Sequence, residues 1–131
     1  MAAQIEYLEN TDFQQSRAFS PAVITQGGKT VWLAGQTATV DEAGKDISGN
    51  FDAQTRTIFA LIDKTLRRSG GTLANVVTMT VFFNDPRHGD AFVKIRGEIF
   101  THGKFPASAL ITVAHFALSG MLIEIQAVAV I

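Results

Sequence analysis

A carboxylate and an amide stand two residues apart in the most apolar stretch of the chain, Met121-Leu122-Ile123-Glu124-Ile125-Gln126-Ala127-Val128-Ala129-Val130-Ile131. A run this rich in β-branched and small apolar side chains reads as a largely buried strand. Alternation puts Ile123, Ile125, Ala127 and Ala129 on one face, and Leu122, Glu124, Gln126 and Val128 on the other. An unpaired carboxylate in an apolar interior is strongly disfavoured or takes up a proton. Glu124 therefore needs a partner, water or a task. Either its face opens to solvent or holds one structural hydrogen bond, or the group works in a cleft as a general acid/base or water-orienting carboxylate.

Other chemistry is sparse. His88, His102 and His115 match no HExxH pattern or tight ligand pair, so no metal site is expected. His115 ends an apolar stretch, which a structural role accounts for. Gly27-Gly28 reads as a turn rather than a phosphate loop, and no serine sits in a GxSxG elbow. Cysteine is absent, which excludes thiol catalysis, disulfide scaffolds and cysteine-based metal sites. Arg56 and Arg96 fall on predicted helices and read as solvated or paired surface charge. Covalent catalysis is not visible; one carboxylate that could position or activate a water is.

The rest of the chain must position that group. Its 131 residues suit one domain spanning residues 1–131. An apolar fraction of 47% against 18% charge is a hydrophobic surplus, some of which subunit interfaces could bury. With a net charge of −1 and scattered basic residues, no nucleic-acid partner is expected. No signal peptide or apolar run long enough to span a membrane is visible, so a cytoplasmic protein is expected.

Residues 5–8 form a short strand candidate, followed by a polar stretch ending near Arg17. Residues 22–25 and 30–34, joined by Gln26-Gly27-Gly28-Lys29, read as a β-hairpin. Gly35 after them suggests a bend or a close backbone approach. Residues 51–69 read as a helix with Ile58, Leu61, Ile62 and Leu66 as its apolar stripe, stopped by Gly70-Gly71. A strand follows over 76–83. Asp85-Pro86 opens a second helix, spaced by Phe92, Ile95, Ile99 and Phe100. Pro106 leads into a strand through Val113, and the glutamate-bearing strand closes the chain. The order predicts an α+β fold with two helices packed on one face of a mixed sheet.

Several segments together resemble one family. They are Phe19-Ser20-Pro21-Ala22-Val23, Val31-Trp32-Leu33-Ala34-Gly35-Gln36, Gln54-Thr55-Arg56 and Ala74-Asn75-Val76-Val77. Thr80-Val81-Phe82-Phe83-Asn84-Asp85, Phe105-Pro106-Ala107-Ser108 and Ile123-Glu124-Ile125-Gln126-Ala127-Val128-Ala129-Val130 complete the set. In order and spacing they resemble the Rid family of reactive intermediate deaminases, formerly called L-PSP proteins or translation inhibitors. The resemblance implies a chorismate-mutase-like fold assembled as a homotrimer, with the sheets forming an inner barrel and ligand clefts between subunits. Members hydrolyse short-lived 2-imino or 2-enamino acids to 2-keto acids and ammonia without a cofactor.

In that family an arginine after the Pro-Ala pair grips the substrate carboxylate. A backbone carbonyl and the glutamate of the last strand place the attacking water. Carried onto this chain, Glu124 matches the glutamate and Pro106-Ala107 match the motif, but Ser108 stands where the arginine would be. Exchanging a bidentate guanidinium for one neutral hydroxyl is worth roughly 2–4 kcal/mol for an anionic substrate. Ala34 replaces a hydroxyl-bearing residue, Phe19 the covering tyrosine and Val93 a helix asparagine. The implied pocket is more apolar, with Glu124, Ser108 and Gln126 as its polar points. Phe19, Ala34, Gly35, Val93, Ala107 and Leu110 line it.

The expected function is a divergent imine/enamine deaminase whose substrate is not a simple small 2-imino acid. The alternative is a non-catalytic trimer that binds a small carbonyl or carboxylate ligand. An arginine such as Arg96 reaching the cleft near Ser108 would make an acidic substrate plausible again.

Overall fold

The structure, a computed structural model, describes residues 2–101 and 103–131, so His102 lies outside the described residues. The elements run β1 (Gln4–Tyr7), α1 (Asp12–Ser16), β2 (Val23–Gln26), β3 (Thr30–Trp32), α2 (Phe51–Arg67), β4 (Val76–Phe83), α3 (Gly89–Ile99), β5 (Ala107–Thr112) and β6 (Ile123–Val130). Four strands form a mixed sheet in the order β3-β6-β4-β5. Strand β4 pairs parallel to β5 and antiparallel to β6, and β3 is antiparallel to β6.

The expected hairpin of residues 22–25 with 30–34 is not a hydrogen-bonded pair. Gly27 and Gly28 do reverse the chain, both at positive φ (71° and 73°). Strand β2 then pairs with β1, while β3 pairs with β6 from Thr30↔Val130 to Trp32↔Val128. Lys29 and Ile131 extend that ladder by exchanging backbone bonds of 2.7 and 2.8 Å. A Cβ on Gly28 would meet both Ala3 Cβ and Ile131 O at 2.6 Å, so three chain segments crowd the turn.

Helix α2 begins where the Asn50 side chain accepts a bond from Ala53 N at 3.1 Å. It ends near Gly70, at φ 90°, where Gly71 N–H closes back on Leu66 O at 3.0 Å. Asp85 caps a 3₁₀ turn, Pro86–His88, rather than the α-helix itself, which starts at Gly89. The short helix α1 was not expected. Its start carries a full capping box, Thr11 and Gln14 each bonding the other's backbone N–H.

Alternation along β6 is as the sequence predicts: Ile123, Ile125 and Ala129 are fully buried and Ala127 nearly so. Against them pack Ile58, Ile62 and Leu66 of α2 and Phe92 and Ile95 of α3. Phe92 bridges the layers, its ring 5.8 Å from Phe83 and 6.0 Å from Phe59. Burying each such side chain contributes about 1.5–3 kcal/mol. Both long helices thus cover one face of the sheet.

The opposite face is uncovered. Register places Glu124, Gln126 and Val128 of β6 beside Phe82, Thr80 and Thr78 of β4, which in turn stand beside Ile111, Ala109 and Ala107 of β5. Trp32 extends this face on β3 and is 79% exposed. No helix among the described residues is long and apolar enough to cross a membrane.

Candidate functional site

Glu124 is half-buried on the open face. Strand β3 leaves its ladder beside it. The register steps by one residue between Trp32↔Val128 and Gln36↔Ile125, a bulge at Ala34-Gly35. The bulge lays the Gly35 backbone against the Glu124 carboxylate, and a Cβ there would collide with Oε2. No cation pairs with Glu124 among the described residues. On its other side Phe82, Val113, His115 and Phe116 form with it a shallow concavity of about 210 Å³. A carboxylate in that setting keeps its lone pairs available to a water or a substrate N–H.

Ser108 lies on the other face of the sheet. It is in register with Met79 and Ala127, both 2% exposed, and so points toward the helix layer. Arg96 meets it there. Its Nη1 donates to Ser108 Oγ at 2.6 Å and its Nη2 to Arg17 O at 3.0 Å, while Nε has no partner. The guanidinium sits 5.0 Å from the Phe92 ring centroid. Burial, and then the nearby charge of Arg17, push it down to about 10. It remains a cation at neutral pH, 1% exposed.

The segment carrying Arg17 is held in place by backbone geometry. Ala18 adopts a left-handed φ of 60°, which costs an L-residue roughly 1–2 kcal/mol. Beyond it Ser20 bonds Phe105 O at 2.6 Å through its hydroxyl and Pro106 O at 3.1 Å through its N–H. Phe19 thereby lies near the start of β5, half-buried and edge-on to Phe13 at 6.5 Å.

The anticipated residues therefore divide into two groups. Glu124, Gly35, Ala34, Gln126 and Ala107 belong to the open face or its β3 edge. Ser108, Leu110 and Val93 belong to the helix side, where Val93 is 8% and Leu110 36% exposed, while Phe19 lies in the segment after α1 against Phe13. One sheet separates Glu124 from Ser108 within a chain.

Arg96 corrects its reading as surface charge. The signal was present: it lies four residues after Phe92 and three before Ile99, on the same stripe. Arg56 is a surface charge as expected, paired with Asp52 at 3.2 Å and Glu98 at 3.0 Å. Placing His115 beside Glu124 depends on the fold of residues 113–122, which carry no periodic pattern.

A family model described as endoribonuclease L-PSP matches residues 10–131. A RutC family protein of Pyrococcus abyssi is 28% identical over 102 residues, covering 78% of this chain and 79% of that protein. The crystal structure of the Rid family protein YyfB from Yersinia pestis covers both chains fully, at a TM-score of 0.83 and 28% identity. RidA from an Antarctic Psychrobacter aligns over 81% of this chain and 84% of its own, at a TM-score of 0.68 and 25% identity.

Proposed function

The chain belongs to the endoribonuclease L-PSP, or Rid, family, and from that premise we propose that it is a divergent imine/enamine deaminase. The observation that carries this reading is the Glu124 carboxylate, set against the Gly35 bulge, facing a concavity and paired with no cation among the described residues.

A protonated imine is electrophilic at carbon. Glu124 accepts a proton from water as the oxygen bonds to that carbon, giving a carbinolamine. Glu124 returns that proton to the amine, and the C–N bond breaks with its electron pair leaving on nitrogen. The hydroxyl gives its proton to the departing ammonia, and carbonyl and ammonium leave. Positioning and proton transfer suffice, so the reaction needs no cofactor.

The site is completed by other copies of the chain. Ser108 and Glu124 face opposite sides of one sheet, so a cleft using both draws them from different subunits. The open face offers Trp32, Phe82, Val128 and Ile111 for that contact. We assign it to a homotrimer of the chorismate-mutase-like type, with the open faces forming the inner barrel. The nuclease activity in the family description gains no support from a net charge of −1.

The test is ammonia release from freshly generated imines and enamines, small, aliphatic, aromatic and neutral, by the wild type and by Glu124→Ala. Acceleration that Glu124→Ala abolishes is expected. No acceleration across the panel would favour the ligand-binding trimer. Light scattering should give three times the 14.1 kDa of one chain; a monomer would overturn the intersubunit cleft.

A further inference from the structure

Residues 113–122 join β5 to β6 and are tied at both ends. Val113 N–H bonds Phe83 O at 2.7 Å, continuing the β4–β5 ladder by one residue. At the far end Gly120 O accepts from Gln54 Nε2 at 2.7 Å and from Gly49 N–H at 3.0 Å, and Asn84 N–H bonds Leu122 O at 3.3 Å. His115 therefore has a fixed place, two residues beyond the Val113 anchor. It lines the concavity of about 210 Å³ together with Glu124, and on its other side a second of about 380 Å³ bounded in part by Asn84, Leu118 and Ser119. Among the described residues, Glu124 and His115 are the two titratable groups lining these concavities. Neither is held in an ion pair there, and His115 is exposed.

Water attacks a protonated imine, so a neutral enamine or imine must first gain a proton. Glu124 is unsuited to give it. An ionised carboxylate is an acceptor only, and it must be ionised to take a proton from water. An imidazole both gives and regains a proton readily near neutral pH. The rest of the smaller concavity is walled by Phe82, Val113 and Phe116, apolar groups that suit an uncharged substrate.

We propose that His115 is a second catalytic residue, the acid that converts a neutral enamine or imine into the iminium ion that water then attacks. This rests on the deaminase reading and adds its first step. With an enamine, the imidazolium N–H bond breaks and a C–H bond forms at the β-carbon, while the nitrogen lone pair becomes the second bond of C=N⁺. With an imine the proton goes to nitrogen instead. The neutral imidazole left behind recovers its proton from the solvent to which it is exposed. Glu124 handles the water and His115 the substrate.

The pyrrolidine enamine of cyclopentanone, and the iminium salt made by protonating it, test this on the full chain. Both end as cyclopentanone and pyrrolidine, but the salt enters after the proposed proton transfer. Wild type should accelerate both over the uncatalysed rates, read by stopped-flow loss of enamine absorbance and by ketone release from the salt. His115→Gln should slow enamine loss about 100-fold, the usual order for a positioned acid, and leave salt hydrolysis within about twofold. Imidazole added to His115→Ala should restore part of the enamine rate without altering that of the salt, a rescue that a purely structural side chain would not show. An enamine rate unchanged in His115→Gln, both rates falling together, no rescue by imidazole, or no acceleration of either substrate would overturn the assignment. Salt hydrolysis indifferent to Glu124→Ala, with the His115 effects intact, would instead sink the deaminase reading alone.

Discussion

The Glu124 carboxylate occupies the space a side chain on Gly35 would need: a Cβ there would also lie 3.1 Å from Glu124 Cδ. Gly35 does not have a positive φ, so the glycine serves the close approach rather than the backbone conformation. Gly35→Ala should therefore cost little in folding, because the clashing atoms end a flexible side chain that can swing away. The displaced carboxylate then misses its water. Since misplacement by about 1 Å can cost about 100-fold in rate, kcat/KM should fall on that order while the melting temperature moves little. Steady-state kinetics beside a thermal melt would check it; a large melting shift with normal kinetics would show the glycine serves the fold instead.

Glu124→Gln keeps the shape and removes the proton acceptor. The rate of ammonia release should drop by about 100- to 10,000-fold, the usual contribution of a positioned acid or base. Stability should stay within about 0.5 kcal/mol, because the half-buried carboxylate leaves no ion pair broken. Rates and denaturant midpoints measured on the same preparations would test both parts.

Gln54 is fully buried in α2 and clasps two loops. Its Nε2 donates to Ile47 O at 3.0 Å and Gly120 O at 2.7 Å, and its Oε1 accepts from Leu122 N at 3.0 Å. Gln54→Leu fills nearly the same volume but strands three backbone groups. Folding should lose about 2–4 kcal/mol, read from denaturant unfolding. Because residues 120–122 lead directly into β6, ammonia release should fall as well.

Elements defined by apolar spacing were legible in the sequence, and so was the face each residue of β6 presents. Strand partners were not. The run Val31-Trp32-Leu33 suits pairing with either neighbour in sequence or with β6, and alternation does not choose between them. Helix α1 is five residues long with Phe13 as its one apolar side chain, so periodicity is silent and only Thr11 and Gln14 mark it. Arg96 was hidden by its charge, although Phe92, Ile95 and Ile99 place it on the inward stripe. The separation of Ser108 from Glu124 needed the register of β5 on β4, which joins residues far apart in the chain.

Arg96 should reduce stability, because its charge is buried with no anion beside it among the described residues. Burial holds its guanidinium down to about 10, below its value in the unfolded chain, so the folded state gives up that proton more readily than the unfolded one. Between those two values the unfolded chain binds more protons, and the wild type gains relative stability as pH rises through about 10. Below that window burial disfavours the charged form, and the cost persists at neutral pH. Arg96→Met removes the charge while keeping much of the volume, and should be neutral to about 2 kcal/mol more stable at pH 7. Its advantage should shrink as pH rises through about 10. Denaturant unfolding of both proteins across alkaline pH would decide this: a variant clearly less stable at pH 7 would mean the two hydrogen bonds to Ser108 and Arg17 outweigh the buried charge.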